Sequence, residues 1–417
     1  MKIILCKSHL DGPISGSDET LVTYAAQLRK AGLSVSVLLM YLHAEEDQYY
    51  QRLLESDVPI SWIASNLTQN SLGAGRKLAA RVFHSFPGSK EFLRRSTQPV
   101  LTAMANRYYS PCVDFLEKEK PDLVHVMTPN AGASVMIRAA HNAGIPVIYQ
   151  ELGIPYHPPG FDYYKEFTSV MPLCSEITAL SPRLIQDCRE KLPAHQSLSV
   201  LPIMSQLLNG DAGSERPADS RVRFGFAARM EKLKGPMVMI EALAIAAQQN
   251  RNICMNIAGD GSQRQKIAAR AKTLNVASQY RYHGVYTHPE ERSAFMKTVD
   301  VFVMPSFTEG TPNCIVEAMA HGKPIIASEV GGVPDMIGDE AGVLVPPGDT
   351  QALANAMLRM AADNDLRRSM GLAARARYER FFSPAAVLPL IMETYKRVSG
   401  NGHRTAKDNG HLHPWAD

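Results

Sequence analysis

The segment "DVFVMPSFTEGTPNCIVEAMAHGKPIIAS" (Asp300–Ser328) contains a complete strand–helix–strand unit. Its first six residues form a short apolar run typical of a buried strand, and "PIIAS" (324–328) is a second run of the same kind. Between them, Thr311 is predicted to be the N-cap of a helix, with Pro312 as its first residue and Gly322 at its end. Buried strands joined by a helix are typical of a parallel sheet, so the segment predicts an α/β fold.

Similar units occur on both sides of a polar segment, "NGDAGSERPADS" (209–220), whose composition predicts a linker. The chain has 417 residues, which is too long for one ordinary domain. We therefore predict two doubly wound, Rossmann-like parallel-sheet domains that face a cleft. The N-terminal domain is expected at 1–208 and the C-terminal domain at 221–382.

Composition excludes several classes of protein. Hydrophobic residues make up 45% and charged residues 20%, as in ordinary globular proteins, and a net charge of +3 gives no indication of nucleic-acid binding. The six cysteines form no C-x-x-C pair, which favours a reducing compartment and hence the cytoplasm. No apolar stretch approaches about 18 residues, so no transmembrane helix is expected. The histidines show no metal-ligand spacing, so no metal site is expected.

The helix in the quoted segment predicts an anion site. Its free N–H groups, near residues 310–314, would point out of a helix N-terminus, where the helix dipole favours phosphate. Glu309 would repel a phosphate, so it is expected to face hydroxyl groups or a developing positive charge. Glu317, inside the helix, could accept hydrogen bonds from a vicinal diol such as a ribose. Taken alone, two glutamates eight positions apart are more often a helix-capping acid and a solvated acid.

Three further loops follow strands of the same predicted sheet. Cations at a strand end suit a pyrophosphate, and glycine-rich turns allow a close approach to one. Loops at the carboxyl ends of parallel strands share one edge, so together they indicate a phosphate and diol site more strongly than any single loop does. The residues are Arg229 and Lys234 in "RMEKLKG" (229–235), Gly259 and Gly261 in "AGDGS" (258–262), and Gly331 in "SEVGGVPDMI" (328–337).

A basic stretch, 72–107, interrupts the N-terminal series and carries seven lysines and arginines with few acids. It fits either a solvated helical insertion or a surface that contacts anionic lipid. His125, in the apolar run "DLVHVM" (122–127), is interpreted as a core histidine rather than a functional one.

The ordered motifs resemble the donor domain of glycosyltransferase family 4, a retaining family with the GT-B fold. They are "FGFAARMEKLKGP", "IAGDGS", "YHGV", the segment quoted first, "GGVPDMI" and "GVLVPPGD". Glu309 and Glu317 match the E-x7-E motif of that family. The resemblance covers 222–380 closely and the N-terminal half by pattern. It implies transfer of a sugar from a nucleotide-activated donor to a saccharide or lipid-linked acceptor, with no cofactor and no required metal.

The resemblance also implies roles for residues of this chain. Arg229 and Lys234 would hold the donor pyrophosphate, and Glu317 would bind the ribose hydroxyls. Glu309, with the backbone of Gly310 and Thr311, would lie against the donor sugar and the departing phosphate. The remaining donor-binding residues would be Gly16, from the N-terminal domain, with Gly259, Gly261 and Gly331.

One family feature is absent. The family often carries a histidine after the strand that corresponds to "PVIYQELG", and here Gln150, Glu151, Leu152 and Gly153 stand in those positions. Glu151 is therefore either a replacement on the acceptor side or a structural acid. The helix at 383–398 resembles the family segment that returns to the N-terminal domain, and the polar tail at 400–417 is expected to be disordered.

Three functions are compatible with this pattern. The first is a retaining, hexosyltransferase-type glycosyltransferase of cell-surface polysaccharide or glycolipid synthesis, in the cytoplasm or peripheral at the inner face of the membrane. The second is a nucleotide-sugar epimerase on the same scaffold, which would need no acceptor. The third is a non-catalytic nucleotide-sugar-binding subunit of an assembly complex.

Overall fold

The structure, a computed structural model, describes residues 1–12, 14–41, 46–64, 106–127, 131–153, 170–191, 197–205, 221–286, 288–400 and 415. The predicted linker at 209–220 lies outside these residues, as do nearly all of the basic stretch 72–107 and of the tail 400–417. The chain forms two compact units, and the division falls inside the final helix. The N-terminal unit comprises Met1–Leu180, Leu184–Leu201 and Leu388–His413, and the C-terminal unit comprises Ser181–Arg183, Pro202–Val387 and Pro414–Asp417.

The N-terminal unit contains a seven-stranded, fully parallel sheet in the order β3-β2-β1-β4-β5-β6-β7. The interior strand β1 is buried on both faces, which explains why it reads as a continuous apolar run rather than an alternating one. The strands are β1 (Lys2–Lys7), β2 (Ser34–Tyr41), β3 (Ile60–Ala64), β4 (Leu123–Met127), β5 (Val147–Glu151), β6 (Glu176–Ala179) and β7 (Leu198–Val200).

The described helices before the C-terminal sheet follow strands of this first sheet, and Ser15 and Asp47 cap the first two with their side chains. They are α1 (Gly16–Lys30), α2 (Gln48–Glu55), α3 (Tyr109–Glu119), α4 (Ala131–Asn142) and α5 (Pro182–Lys191).

The C-terminal unit contains a six-stranded parallel sheet in the order β10-β9-β8-β11-β12-β13. Phe224 and Phe226 of β8 and Phe302 of β11 are fully buried and form part of its core. The strands are β8 (Val222–Ala227), β9 (Ile253–Ala258), β10 (Tyr280–Tyr282), β11 (Val301–Met304), β12 (Ile325–Ser328) and β13 (Gly342–Val345).

Helices connect and follow these six strands. They are α6 (Pro236–Gln249), α7 (Arg264–Thr273), α8 (Pro289–Lys297), α9 (Asn313–Ala320), α10 (Val333–Ile337), α11 (Thr350–Ala362), α12 (Asn364–Phe381) and α13 (Pro384–Ser399). None of the helices in the described part of the chain is long and apolar enough to cross a membrane.

The strand order reverses between β8 and β11, which pair directly, with Val301 opposite Phe224. From this point the chain winds outward in both directions, and right-handed crossovers then place helices on both faces of the sheet. The crevice at the carboxyl ends of two such strands is where doubly wound sheets bind ligands. The predicted α/β class, with two doubly wound parallel sheets, is confirmed, and the loops after β8 and β11 are where a ligand site is expected.

Candidate active site

Lys234 and Glu309 form an ion pair at this switch point. Lys234 belongs to the loop after β8, and its Nζ lies 2.7 and 2.8 Å from the two carboxylate oxygens of Glu309, in the loop after β11. Glu309 Oε1 also accepts a hydrogen bond from Ser306 Oγ at 2.7 Å. Because Glu309 is only 6% exposed, the ammonium group compensates a nearly buried negative charge.

Backbone packing between the two loops holds this pair in place. Gly235 ends the short helical turn Lys232–Lys234 at a positive φ of 68°, and a Cβ at that position would lie 1.9 Å from the carbonyl oxygen of Pro305. Only glycine fits there. The N–H of Phe307 donates to the carbonyl of Leu233 at 2.8 Å, so the two loops are also joined by a hydrogen bond. The loop that carries Lys234 is therefore fixed over the loop that carries Glu309.

The helix that follows starts later than predicted. α9 begins at Asn313 and Pro312 is its N-cap, so the prediction of Thr311 as N-cap and Pro312 as first helical residue is wrong. The reason is tertiary. The N–H of Gly332 donates to the carbonyl of Gly310 at 3.0 Å, and the Thr311 methyl packs so closely on Gly332 that a Cβ there would lie 2.8 Å away. Thr311 Oγ1 is buried and has no hydrogen-bond partner among the described residues.

The glycines predicted to bind the donor make close contacts with the protein backbone. Gly331, Gly259 and Gly261 all have positive φ. A Cβ would lie 1.8 Å from the carbonyl oxygen of Glu309 at Gly331, 2.0 Å from that of Ala228 at Gly259, and 2.8 Å from the carbonyl group of Met230 at Gly261. The glycines thus allow neighbouring loops to pack, and their contact with a donor stays a prediction.

Glu317 is the fifth residue of α9 and does not join the Lys234–Glu309 pair. Its Oε1 accepts a hydrogen bond from Arg292 Nη1 at 2.7 Å, and the hydroxyl of Tyr286 lies 3.4 Å from Oε2. Sequence analysis missed Arg292, because the two partners are 25 positions apart and sit on different helices. It also missed Ser306, although its place three residues before Glu309 was visible in the motif.

Arg229 is exposed and lies two residues beyond the end of β8. Hydrogen bonds from the hydroxyl and N–H of Ser262 lower the pKa of the neighbouring Glu231, and the positive charge of Arg229 adds to this effect. Within the described part of the chain the guanidinium of Arg229 forms no ion pair. No group of three or more described His, Cys, Asp or Glu residues is placed to hold a metal ion.

In the N-terminal unit, Gly16 is the first residue of α1. The loop before it is held by Lys7, which is 2% exposed and forms a buried ion pair with Asp18 of α1. Lys7 Nζ also donates to Asp11 Oδ2 at 2.8 Å and to Ser17 Oγ at 2.9 Å. The start of α1 is therefore anchored to the carboxyl end of β1.

Glu151 lies at the end of β5 and is 3% exposed. Its Oε2 accepts a hydrogen bond from the Tyr149 hydroxyl at 2.6 Å, and its Oε1 accepts one from the N–H of Gly153 at 2.9 Å. Engagement of both oxygens by adjacent residues favours the structural-acid alternative. His125 is fully buried, and its Nδ1 lies 2.7 Å from the Tyr395 hydroxyl. Burial lowers its pKa to about 3, as expected of a neutral core histidine.

Comparison with known protein families matches residues 221–363 to the model described as "Glycosyl transferases group 1". A Bacillus subtilis protein assigned to teichuronic acid biosynthesis as a glycosyltransferase is 28% identical over 57% of this chain and 61% of its own length. A D-inositol 3-phosphate glycosyltransferase of Corynebacterium jeikeium is 29% identical over 43% of this chain and 44% of its own length. The amylovoran biosynthesis glycosyltransferase AmsK of Erwinia amylovora is 31% identical over 41% of this chain and 44% of its own length. The chain thus spans less than two thirds of each relative.

Solved structures resemble the chain over almost its whole length. The Anabaena protein HepE, in complex with UDP and glucose, gives a TM-score of 0.72 at 19% identity and covers 94% of this chain and 99% of its own. Sucrose-phosphate synthase of Thermosynechococcus elongatus gives a TM-score of 0.71 at 18% identity, and the match covers 95% of this chain and 98% of the synthase. At these identities the likeness establishes the fold. By its fold the chain is a GT-B protein with two Rossmann-like units, and its residues 221–363 carry the match to group 1 glycosyl transferases.

Proposed function

We propose that the protein is a retaining glycosyltransferase of family 4, of the hexosyltransferase type. It transfers a sugar from a nucleotide-activated donor to a saccharide or lipid-linked acceptor in cell-surface polysaccharide or glycolipid synthesis. The observation that carries this proposal is the Lys234–Glu309 pair, which lies at the switch point of the C-terminal sheet and inside the matched residues 221–363.

The chemistry follows from where charge develops. As the glycosidic bond of the donor breaks, negative charge grows on the leaving pyrophosphate. Lys234, Arg229 and the positive end of the α9 helix dipole are the groups that stabilise it. An ammonium group has three N–H donors, and in the described structure two of them point to Glu309. The third is left to donate to the pyrophosphate of the donor.

Glu309 acts on the sugar side. The sugar carbon passes through an oxocarbenium-like state, and a nearby carboxylate stabilises its positive charge. The hydrogen bond from Ser306 Oγ and the contacts with Lys234 Nζ keep the Glu309 carboxylate oriented. Glu309, which stabilises the positive charge on the sugar, and Lys234, which stabilises the negative charge on the pyrophosphate, thus lie side by side before the donor binds.

The comparisons support the substrate classes. Relatives are named for teichuronic acid and amylovoran biosynthesis, and HepE binds UDP and glucose, which favours a nucleotide-sugar donor and a polysaccharide pathway. A thermal-shift screen of nucleotide sugars, followed by an assay of nucleoside diphosphate release with and without oligosaccharide acceptors, tests the proposal. Acceptor-dependent release and retention of the anomeric configuration in the product are expected. Sugar epimerisation without an acceptor would contradict it.

We also propose that the protein is cytoplasmic and contacts the inner face of the membrane through the basic stretch 72–107. This stretch lies almost entirely outside the described residues. Its cations, with few acids between them, favour anionic lipid. Vesicles that contain phosphatidylserine should bind the protein at low salt, and neutralising Arg76, Lys77 and Arg81 together should weaken the binding. Equal binding to neutral vesicles would contradict an electrostatic contact.

A further inference from the structure

Arg292 and Glu317 form a nearly buried ion pair between α8 and α9. Arg292 Nη1 lies 2.7 Å from Glu317 Oε1, and the side chains are 12% and 9% exposed. A surface ion pair contributes little to stability, but removing one partner of a buried pair leaves an uncompensated charge in the protein interior. The position of the Glu317 carboxylate therefore depends on Arg292.

A second link joins the same two helices. His321, just after α9, lies with Nδ1 2.8 Å from the carbonyl oxygen of Glu317 and with Nε2 3.3 Å from Ser293 Oγ on α8. Because a carbonyl only accepts hydrogen bonds, Nδ1 carries the proton in the neutral imidazole, and Nε2 then accepts from the serine. The backbone of Glu317 is thus held through His321, and its side chain through Arg292.

Resting on the function proposed above, we propose that Arg292 is a positioning residue for recognition of the donor ribose by Glu317. A carboxylate close to a pyrophosphate would repel it, and the guanidinium of Arg292 cancels that charge. Arg292 also fixes the side-chain rotamer of Glu317. A carboxylate accepts about four hydrogen bonds, so the bond from Arg292 is compatible with bonds from two ribose hydroxyls.

The geometry around Oε2 supports this orientation. The hydroxyl of Tyr286 approaches Oε2 at 3.4 Å, which is long for an O–H···O hydrogen bond, whereas Arg292 holds Oε1 at 2.7 Å. Arg292 therefore anchors the Glu317 carboxylate through Oε1. Without Arg292, Glu317 would carry an uncompensated charge and would lose its fixed rotamer, so it would no longer distinguish a ribose from a deoxyribose.

The test compares the dissociation constants of UDP and 2′-deoxy-UDP by isothermal titration calorimetry. UDP is the probe because HepE binds it. The wild-type protein should bind UDP about tenfold or more tightly, since a hydrogen bond to a charged group is worth about that factor. Arg292→Gln should reduce the ratio to about threefold or less. Glu317→Gln should do the same, and the double variant should lose no more than either single variant.

Arg270→Gln is the matched control, because Arg270 pairs with Glu241 between two other helices of the same unit. It should keep the full ratio. If Arg292→Gln keeps the wild-type ratio while it weakens both nucleotides equally or lowers the melting temperature, Arg292 is only structural and the inference is overturned. A wild-type protein that binds neither nucleotide would instead overturn the proposed function, so the two failures are distinguishable.

Discussion

Replacement of Gly331 by alanine tests how the Glu309 loop is positioned. Gly331 has a φ of +52°, and the added Cβ would lie 1.8 Å from the carbonyl oxygen of Glu309 and 2.9 Å from its carbonyl carbon. Both are backbone atoms, so no side-chain rotation relieves the overlap. Either the segment around Gly331 or the backbone of Glu309 must move, and in both cases the contact that fixes the Glu309 loop is lost.

Gly322 provides a matched control in the same unit. Its φ is +62°, but a Cβ there would meet nothing closer than the carbonyl oxygen of Gly371 at 3.5 Å, which is an ordinary contact. Gly322→Ala should therefore cost only the left-handed strain, about 1–2 kcal/mol. Gly331→Ala adds overpacking of about 1–3 kcal/mol, which gives about 2–5 kcal/mol in total. For a domain of this size each kcal/mol lowers the melting temperature by about 2–4 °C.

The assays are calorimetric unfolding and donor turnover, the latter at a temperature well below both transitions. Gly331→Ala should lower the turnover number by up to about 100-fold, because displacements near 1 Å of a reacting group have effects of that size. Gly322→Ala should keep turnover within about twofold of wild type, although it lowers the melting temperature. Normal turnover in folded Gly331→Ala protein would refute the link between this contact and catalysis.

Three further predictions follow from the site and from buried groups. Glu309→Gln should lower the turnover number with little change in nucleotide affinity. Glu317→Gln should mainly raise the donor KM, because the contact of Glu317 with the diol is equal in the ground and transition states. Steady-state kinetics that show the reverse pattern would contradict the assigned roles. Burial lowers the pKa of His125 from 6.5 to about 3, so its contribution to stability is present above pH 6.5 and is lost as the pH falls toward 3. On acidification, His125→Gln should therefore lose less unfolding free energy than wild type, by up to about 5 kcal/mol, and identical pH profiles in denaturation would contradict this. Burial also lowers the pKa of Lys323 from 10.5 to about 8, so between those pH values the unfolded chain binds one proton more than the folded protein. The free energy of unfolding should therefore increase as the pH rises from about 8 to 10.5. Lys323→Met should abolish this increase in the denaturation midpoint, and an increase that persists would exclude Lys323 as its source.

The sequence predicted the elements whose apolar runs are long and buried. β11 and β12 are such runs, and the structure confirms them. β3 (Ile60–Ala64) was missed because it is an edge strand whose residues are mostly half-buried, so it shows no clear apolar pattern.

Contacts between loops distant in sequence were beyond prediction. Lys234 and Glu309 were both named from their positions at strand ends, but the ion pair that joins them spans 75 positions. The start of α9 was misplaced because the contact of Gly332 with Gly310 and Thr311 overrides the local N-cap preference of threonine. Local patterns thus located the site, whereas the pairing of its side chains depends on tertiary packing.

The Lys234–Glu309 site is proposed to perform nucleotide-sugar chemistry. The most direct measurement is acceptor-dependent release of nucleoside diphosphate by wild type, Lys234→Ala and Lys232→Ala, because Lys232 is an exposed lysine in the same loop and provides the matched control. We expect at least a tenfold loss of kcat/KM in Lys234→Ala, since a charge-assisted hydrogen bond contributes about 1.5–3 kcal/mol, and wild-type activity in Lys232→Ala. Equal activity in all three proteins would contradict the account.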